Sequence, residues 1–223
     1  MPDTMKRTMA LPGAVIAAAL LVAPVHAQDA GLAIHAGSMG VGVDAAVMVH
    51  SKVGLRAGAN YFPFDINFNS SGIDYSLDLP SPQFLLVADL YPTGGFRVSG
   101  GLMISTSSFD LTGELDGPVD IGGTSYTPAE VGNLTGTLET RDVSPYIGLG
   151  FGNPATSRVG FFLELGVAFH GNPDPSATAD GPIAALPGFQ QDLDQEVQEI
   201  RDDVENFVVY PVLSIGVSIG LGR

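Results

Sequence analysis

Five charged residues fall where strand periodicity would turn them the same way. Arg97 lies between Phe96 and Val98, and Glu164 lies between Leu163 and Leu165. Asp44, Arg56 and Asp89 occupy the same phase in their own apolar stretches. Alternation then sends the aliphatic neighbours to one face and the charges to the other. Three carboxylates and two guanidiniums on the inside of a closed sheet suit either of two roles. They could line a polar conduit or a proton-accessible binding site. They could also fill a narrow interior with ion pairs and hydrogen bonds, because side chains can fill a barrel of eight strands. The second role is the expectation. It predicts that Arg97→Ala lowers stability by leaving buried carboxylates unpaired.

Other chemistry finds little support. Apart from His26, near the N-terminus, the histidines are His35, His50 and His170. A barrel acyl hydrolase or acyltransferase needs a histidine paired with serine and a carboxylate or amide. His50-Ser51 falls in a predicted turn, no serine lies between Gly166 and His170, and no GxSxG elbow occurs. These histidines read as polar boundary residues and are too dispersed for a recognisable metal site. The glycine-rich run Gly37-Ser38-Met39-Gly40-Val41-Gly42 lacks both a following helix and the GK[ST] of a phosphate loop. With no cysteine there is no thiol nucleophile and no disulfide. No catalytic, cofactor-binding or metal-ligating residue is expected.

The elements that carry the charges are long amphipathic strands. Val159, Phe161, Leu163, Leu165, Val167 and Phe169 alternate with Gly160, Phe162, Glu164, Gly166, Ala168 and His170. The last strand alternates from Val209 to Leu221 against tyrosine, serine and glycine. A soluble sandwich would carry Lys, Glu and Thr on its outer face. Here the second face is glycine and serine with sparse charge, which suits a crowded lumen with the apolar faces in lipid. Strands are expected near 38–49, 53–68, 73–91, 96–112, 134–152, 159–171 and 207–222. Short and long connections alternate, as in outer-membrane barrels. Seven strands cannot close such a barrel with both ends on one side. Residues 31–37 are the candidate eighth, with a glycine bend or bulge at Gly37-Ser38. The fold class is therefore an all-β, up-and-down antiparallel transmembrane barrel of eight strands.

Two inserts interrupt it. Residues 113–133 read as a small outer hairpin or ordered loop within 28–223, the barrel domain. Residues 172–206 form a helix-bearing loop. In it Phe189, Leu193, Val197, Ile200, Val204 and Phe207 recur at steps of four and three, marking an amphipathic helix. Its apolar stripe must cover the barrel mouth or another loop. Asp192, Asp194, Glu196 and Glu199 lack EF-hand spacing and read as a solvated face.

Residues 1–27 read as a secretory signal peptide. Lys6 and Arg7 precede the aliphatic run Ala14–Ala23, and Val25-His26-Ala27 ends in small residues before Gln28. The chain of 223 residues carries nine Lys+Arg against 24 Asp+Glu, so no basic surface exists for nucleic acid. With 45% hydrophobic residues it is not a disordered acidic chain.

The sequence resembles the small outer-membrane β-barrel proteins of Gram-negative bacteria, the broad OmpA/OmpX/OmpW-like class. The resemblance rests on Leu90-Tyr91-Pro92, Phe96 to Leu102, Ile121 to Ala129, Pro145 to Gly152 and Tyr210 to Ser218. It implies residence in the outer membrane and contact with outer-membrane lipid and lipopolysaccharide. It also implies insertion by the barrel-assembly machinery. The chain ends Gly220-Leu221-Gly222-Arg223, without the terminal aromatic usual in such barrels. A non-enzymatic structural or surface-interaction role is the leading expectation. The alternatives are a narrow channel or small-ligand binder of the OmpW-like kind, a lipid-modifying enzyme, and a soluble periplasmic binder.

Overall fold

The computed structural model describes residues 29–63, 66–70, 73–78, 82–105, 108–115, 117–156 and 158–221. The expected leader lies outside the described residues. The chain opens with β1 (Ala30–Gly37), β2 (Gly40–His50) and β3 (Val53–Tyr61). A hairpin of β4 (Ile66–Ser70) and β5 (Ile73–Asp78) precedes β6 (Gln83–Thr93) and β7 (Phe96–Ser105). Next come β8 (Phe109–Leu115), β9 (Val119–Ile121), β10 (Thr124–Tyr126), the one-turn helix α1 (Pro128–Val131) and β11 (Leu134–Glu139). The chain continues through β12 (Val143–Phe151), β13 (Gly160–Ala168), β14 (Asp174–Ala179), helix α2 (Pro187–Val204) and β15 (Tyr210–Gly220).

Eight of these strands close an antiparallel barrel in the order β1-β15-β13-β12-β7-β6-β3-β2. The eighth strand is β1, zipped to β15 from Gly31↔Gly220 to Gly37↔Ser214. The expected bend at Gly37-Ser38 is instead a tight turn. Ser38 and Met39 join β1 to β2, and Gly37 pairs with Gly40. Ser38 is tied to β15, its N–H donating to the Leu213 carbonyl at 2.9 Å. The phase break in the sequence therefore marks the reversal of the chain.

The barrel is inverted relative to a soluble one. Ile34, Leu55, Ile147, Leu165 and Ile215 stand exposed on its outer wall, while Asp44, Arg56, Asp89, Arg97 and Glu164 are buried. Outward aliphatics belong in hydrocarbon, where every backbone polar group must find an internal partner, and a closed ladder provides those partners.

The strands expected at 53–68, 73–91, 96–112 and 134–152 each divide in two. Their outer parts leave the barrel and, together with β14 from the helix-bearing loop, form a separate five-stranded sheet, β14-β11-β8-β5-β4. On it sit the β9–β10 hairpin and α2. Together they have their own core of Ile121, Val131, Phe189 and Leu193, with Leu115, Tyr126 and Leu134 packed against it. The first part of the helix stripe, Phe189 and Leu193, therefore covers the neighbouring hairpin, whereas Ile200 is exposed and Phe207 lies exposed beyond the end of the helix. The segments 62–82, 106–142 and 169–209, which include this cap, hold 19 of the acidic residues and only two basic ones, Arg141 and Arg201.

Candidate functional site

The lumen site is built from alternate positions on seven barrel strands. β3 supplies Arg56, whose Nε donates to Asp89 Oδ2 at 2.9 Å and whose Nη1 donates to Asp44 Oδ2 at 3.1 Å. Its Nη2 straddles the Glu164 carboxylate, 2.9 Å from Oε1 and 2.7 Å from Oε2. β7 supplies Arg97, which donates to Glu164 Oε2 at 2.5 Å and to the Gly152 carbonyl at 2.9 Å. The structure therefore gathers Asp44, Arg56, Asp89, Arg97 and Glu164 into one network.

Four further residues join it, none of them among the five charged residues expected to line the lumen. Ser99 donates to Asp89 Oδ1 at 2.6 Å, and the Tyr146 hydroxyl donates to Glu164 Oε1 at 2.5 Å. His35 Nε2 lies 3.3 Å from Asp44 Oδ1. Phe162 closes the group from one side. The Arg97 guanidinium lies 4.9 Å from its ring centroid, and the His35 ring meets it edge-on at 5.5 Å. His35 is thus a buried lumen residue, which corrects its reading as a boundary histidine. Its phase was visible, since it alternates with Ile34 and Ala36.

Long side chains fit because their neighbours are glycine. Gly150 pairs with Arg97 on one side and Glu164 on the other, so a single glycine lies between the ion-paired residues. A Cβ there would fall 2.8 Å from Arg97 Cζ.

Side chains fill most of this layer. Arg97 exposes none of its surface, and Asp89, Phe162 and Glu164 expose 1% each. Toward the outer end the lumen is apolar: Met39, Leu85, Val87, Met103, Tyr146, Ala168 and Val212 form a continuous cluster. At the opposite end the β12–β13 connection turns inward, burying Pro154 and Ala155.

Of the remaining histidines, His50 Nδ1 meets the Ser51 hydroxyl at 3.3 Å in an exposed turn. Burial pushes the His170 imidazole down, favouring its neutral form. Among the described residues no histidine hydrogen-bonds both a serine and a carboxylate. None of their His, Asp and Glu residues cluster in threes as a metal would require.

Asp194 and Glu199 are exposed, as a solvated face requires, but Asp192 and Glu196 are used structurally, which corrects the reading for those two. The Tyr126 hydroxyl donates to Asp192 Oδ2 at 2.6 Å, and the Gly122 N–H donates to Glu196 Oε2 at 3.2 Å. The Tyr126 bond holds the Asp192 carboxyl below its ordinary range. Glu130 accepts from the Thr127 hydroxyl at 2.7 Å and the Thr127 N–H at 2.9 Å, which likewise lowers its carboxyl. Gly122 and Gly123 adopt φ of +57° and +81°, the left-handed turn a two-residue hairpin needs. That turn packs against the helix backbone at Asp192.

A closed eight-stranded barrel with an apolar wall and a polar, filled lumen defines a small β-barrel of the outer-membrane type. Solved structures bear this out. The chain is similar to CarO2 of Acinetobacter baumannii, at a TM-score of 0.62 and 25% identity, over 86% of this chain and 98% of that one. CarO from the same organism superposes at a TM-score of 0.55 and 23% identity, over 85% and 96% of the two chains, and shares the fold. No protein-family model and no curated protein matches the sequence.

Proposed function

We propose that this protein is a non-enzymatic integral outer-membrane barrel that displays a folded acidic cap at the cell surface. The observation that carries this reading is the burial of the Arg56–Arg97–Glu164 network and of the apolar layer beyond it. A barrel closed in this way anchors, and its cap is left as the part able to meet partners.

In this reading residues 1–27 are the exported leader, removed before Gln28, and 28–223 form the mature domain. The barrel-assembly machinery inserts the chain, and the wall then meets outer-membrane lipid and lipopolysaccharide. The test is conductance of the purified mature protein in planar bilayers. Heat-dependent gel mobility would first establish that the barrel is folded. The expected result is no stepwise current. Discrete steps from a folded barrel would overturn the anchor reading in favour of a narrow channel.

A further inference from the structure

We propose that a polar cavity at the periplasmic end of the barrel holds the phosphoethanolamine headgroup of one inner-leaflet phospholipid. The proposal rests on the chain being an integral outer-membrane barrel with its cap outward. The cavity measures about 590 Å³, within the range of small-molecule sites. It lies at the end away from the cap, where the β2–β3, β6–β7 and β12–β13 turns meet the start of β1. The strands are built to gather side chains there. The β2–β3 register shifts between Met48 and His50, and the β6–β7 register shifts between Leu90 and Thr93. Such bulges re-aim the side chains at a strand end. Gly54 leaves room beneath: a Cβ there would stand 3.4 Å from both Met48 Sδ and Tyr91 Cε2.

Five polar side chains line this cavity without a hydrogen-bond or ion-pair partner among the described residues. They are the Asp29 carboxylate, the Lys52 ammonium and the hydroxyls of Tyr91, Thr93 and Thr156. Backbone bonds fix the two charged residues in place. The Asp29 carbonyl accepts from the Met48 N–H at 2.9 Å, and the Lys52 carbonyl accepts from the Tyr91 N–H at 2.9 Å. Tyr91 is only 6% exposed. A buried hydroxyl left without a partner is costly, and the cavity is where a partner can reach it.

The unpaired charges select the ligand. Asp29 and Lys52 share the cavity without pairing with each other, so a ligand that satisfies both carries an anion and a cation itself. In phosphoethanolamine the phosphate oxygens accept from Lys52 and the hydroxyls, and the ammonium donates to Asp29. Position selects a lipid over a free solute. The cavity sits where the strands end, at the level of the headgroups. Its lining includes Val49, which is 39% exposed and in phase with the outward Val41 and Val43. A headgroup can enter beside Val49 while its acyl chains stay in hydrocarbon along β2.

The test is native mass spectrometry of the mature protein released from detergent micelles. The micelles carry equal amounts of dipalmitoyl phosphatidylethanolamine and dipalmitoyl phosphatidylglycerol. The wild type should keep one phosphatidylethanolamine adduct, preferred about tenfold over phosphatidylglycerol, the size of one charge-assisted contact. Asp29→Asn should erase that preference and leave phosphatidylglycerol retention unchanged. Lys52→Met should weaken retention of both lipids about tenfold, and Tyr91→Phe, which removes only the hydroxyl, about fivefold. Arg158→Ala removes an exposed cation outside the cavity and should behave as wild type. Heat-dependent gel mobility reports the barrel in every variant. A wild type without the shift loses the barrel reading itself, whereas a folded barrel with no lipid preference loses only this proposal. Lys52→Met retaining lipid as well as wild type would overturn it. So would an adduct with added O-phosphoethanolamine or glycine in a wild type that prefers neither lipid, which would assign the cavity to a free solute.

Discussion

Arg97 and Glu164 lie 67 positions apart in the chain, and Arg97 Nη2 stands 2.5 Å from Glu164 Oε2 in the middle of the barrel. They meet across an intervening strand, over Gly150. Both are almost wholly buried, and Glu164 also faces Arg56 and Tyr146. A buried pair of this kind is held by geometry. Each charge is tolerable only while its partners stay in place.

Removing Arg97 should therefore be severe. Arg97→Ala leaves Glu164 with one guanidinium in place of two. The expected loss is about 3–5 kcal/mol, read as a lower midpoint in urea unfolding of the folded, lipid-reconstituted barrel. An unchanged midpoint would contradict the network as described.

Gly150 should tolerate no side chain. A Cβ at this position would approach Arg97 Nε to 2.7 Å, and the guanidinium cannot retreat without losing Glu164. Gly150→Ala should cost about 1–3 kcal/mol by overpacking. The same substitution at Gly100, where a Cβ meets nothing within 4 Å, should leave the midpoint near wild type.

The cap should unfold separately from the barrel. Phe189 packs edge-to-face on Tyr126 at 5.1 Å, inside a core that shares no residue with the lumen cluster. Phe189→Ala should destabilise the cap by about 3–5 kcal/mol. Limited proteolysis should then cut within 106–142 and 169–209, while heat-dependent gel mobility of the barrel persists.

Acid should loosen the cap from the low side of the carboxylate range. The folded-state carboxyls of Asp192 and Glu130 are lowered by the hydrogen bonds they accept from Tyr126 and Thr127. A depressed carboxyl contributes stability above its unfolded value and loses it as pH falls through the folded one. Hydrogen exchange in the β9–β10 hairpin should therefore rise as pH drops below the ordinary carboxylate values. Asp192→Asn should remove part of that dependence. Exchange that stays flat on acidification would show that these bonds do not hold the hairpin.

Much of this molecule is set locally and can be read along the chain. The period of two in Val159–His170 and Val209–Leu221 determines which side chains face lipid, because successive Cβ atoms point to opposite faces. The same phase places Arg97 and Glu164 on the inner face before any partner is known. The steps of four and three from Phe189 to Val204 mark the helix in the same way, and only Phe207 overruns its end.

Which inner residues touch is a matter of register between strands distant in sequence, and periodicity carries no information about register. The meeting of Arg97 and Glu164 over Gly150, and the capture of His35 by Asp44, follow only from closing the sheet. The division of the long strands between barrel and cap is also tertiary. Alternation does break near the boundaries, at Tyr61-Phe62-Pro63 and at Ser105-Thr106-Ser107-Ser108, but the break alone does not say that the strand changes sheets. The partner of the helix was likewise undetermined until the hairpin with its Gly122-Gly123 turn came to lie beneath it. An amphipathic stripe specifies that something must be covered, and only the packed fold specifies what.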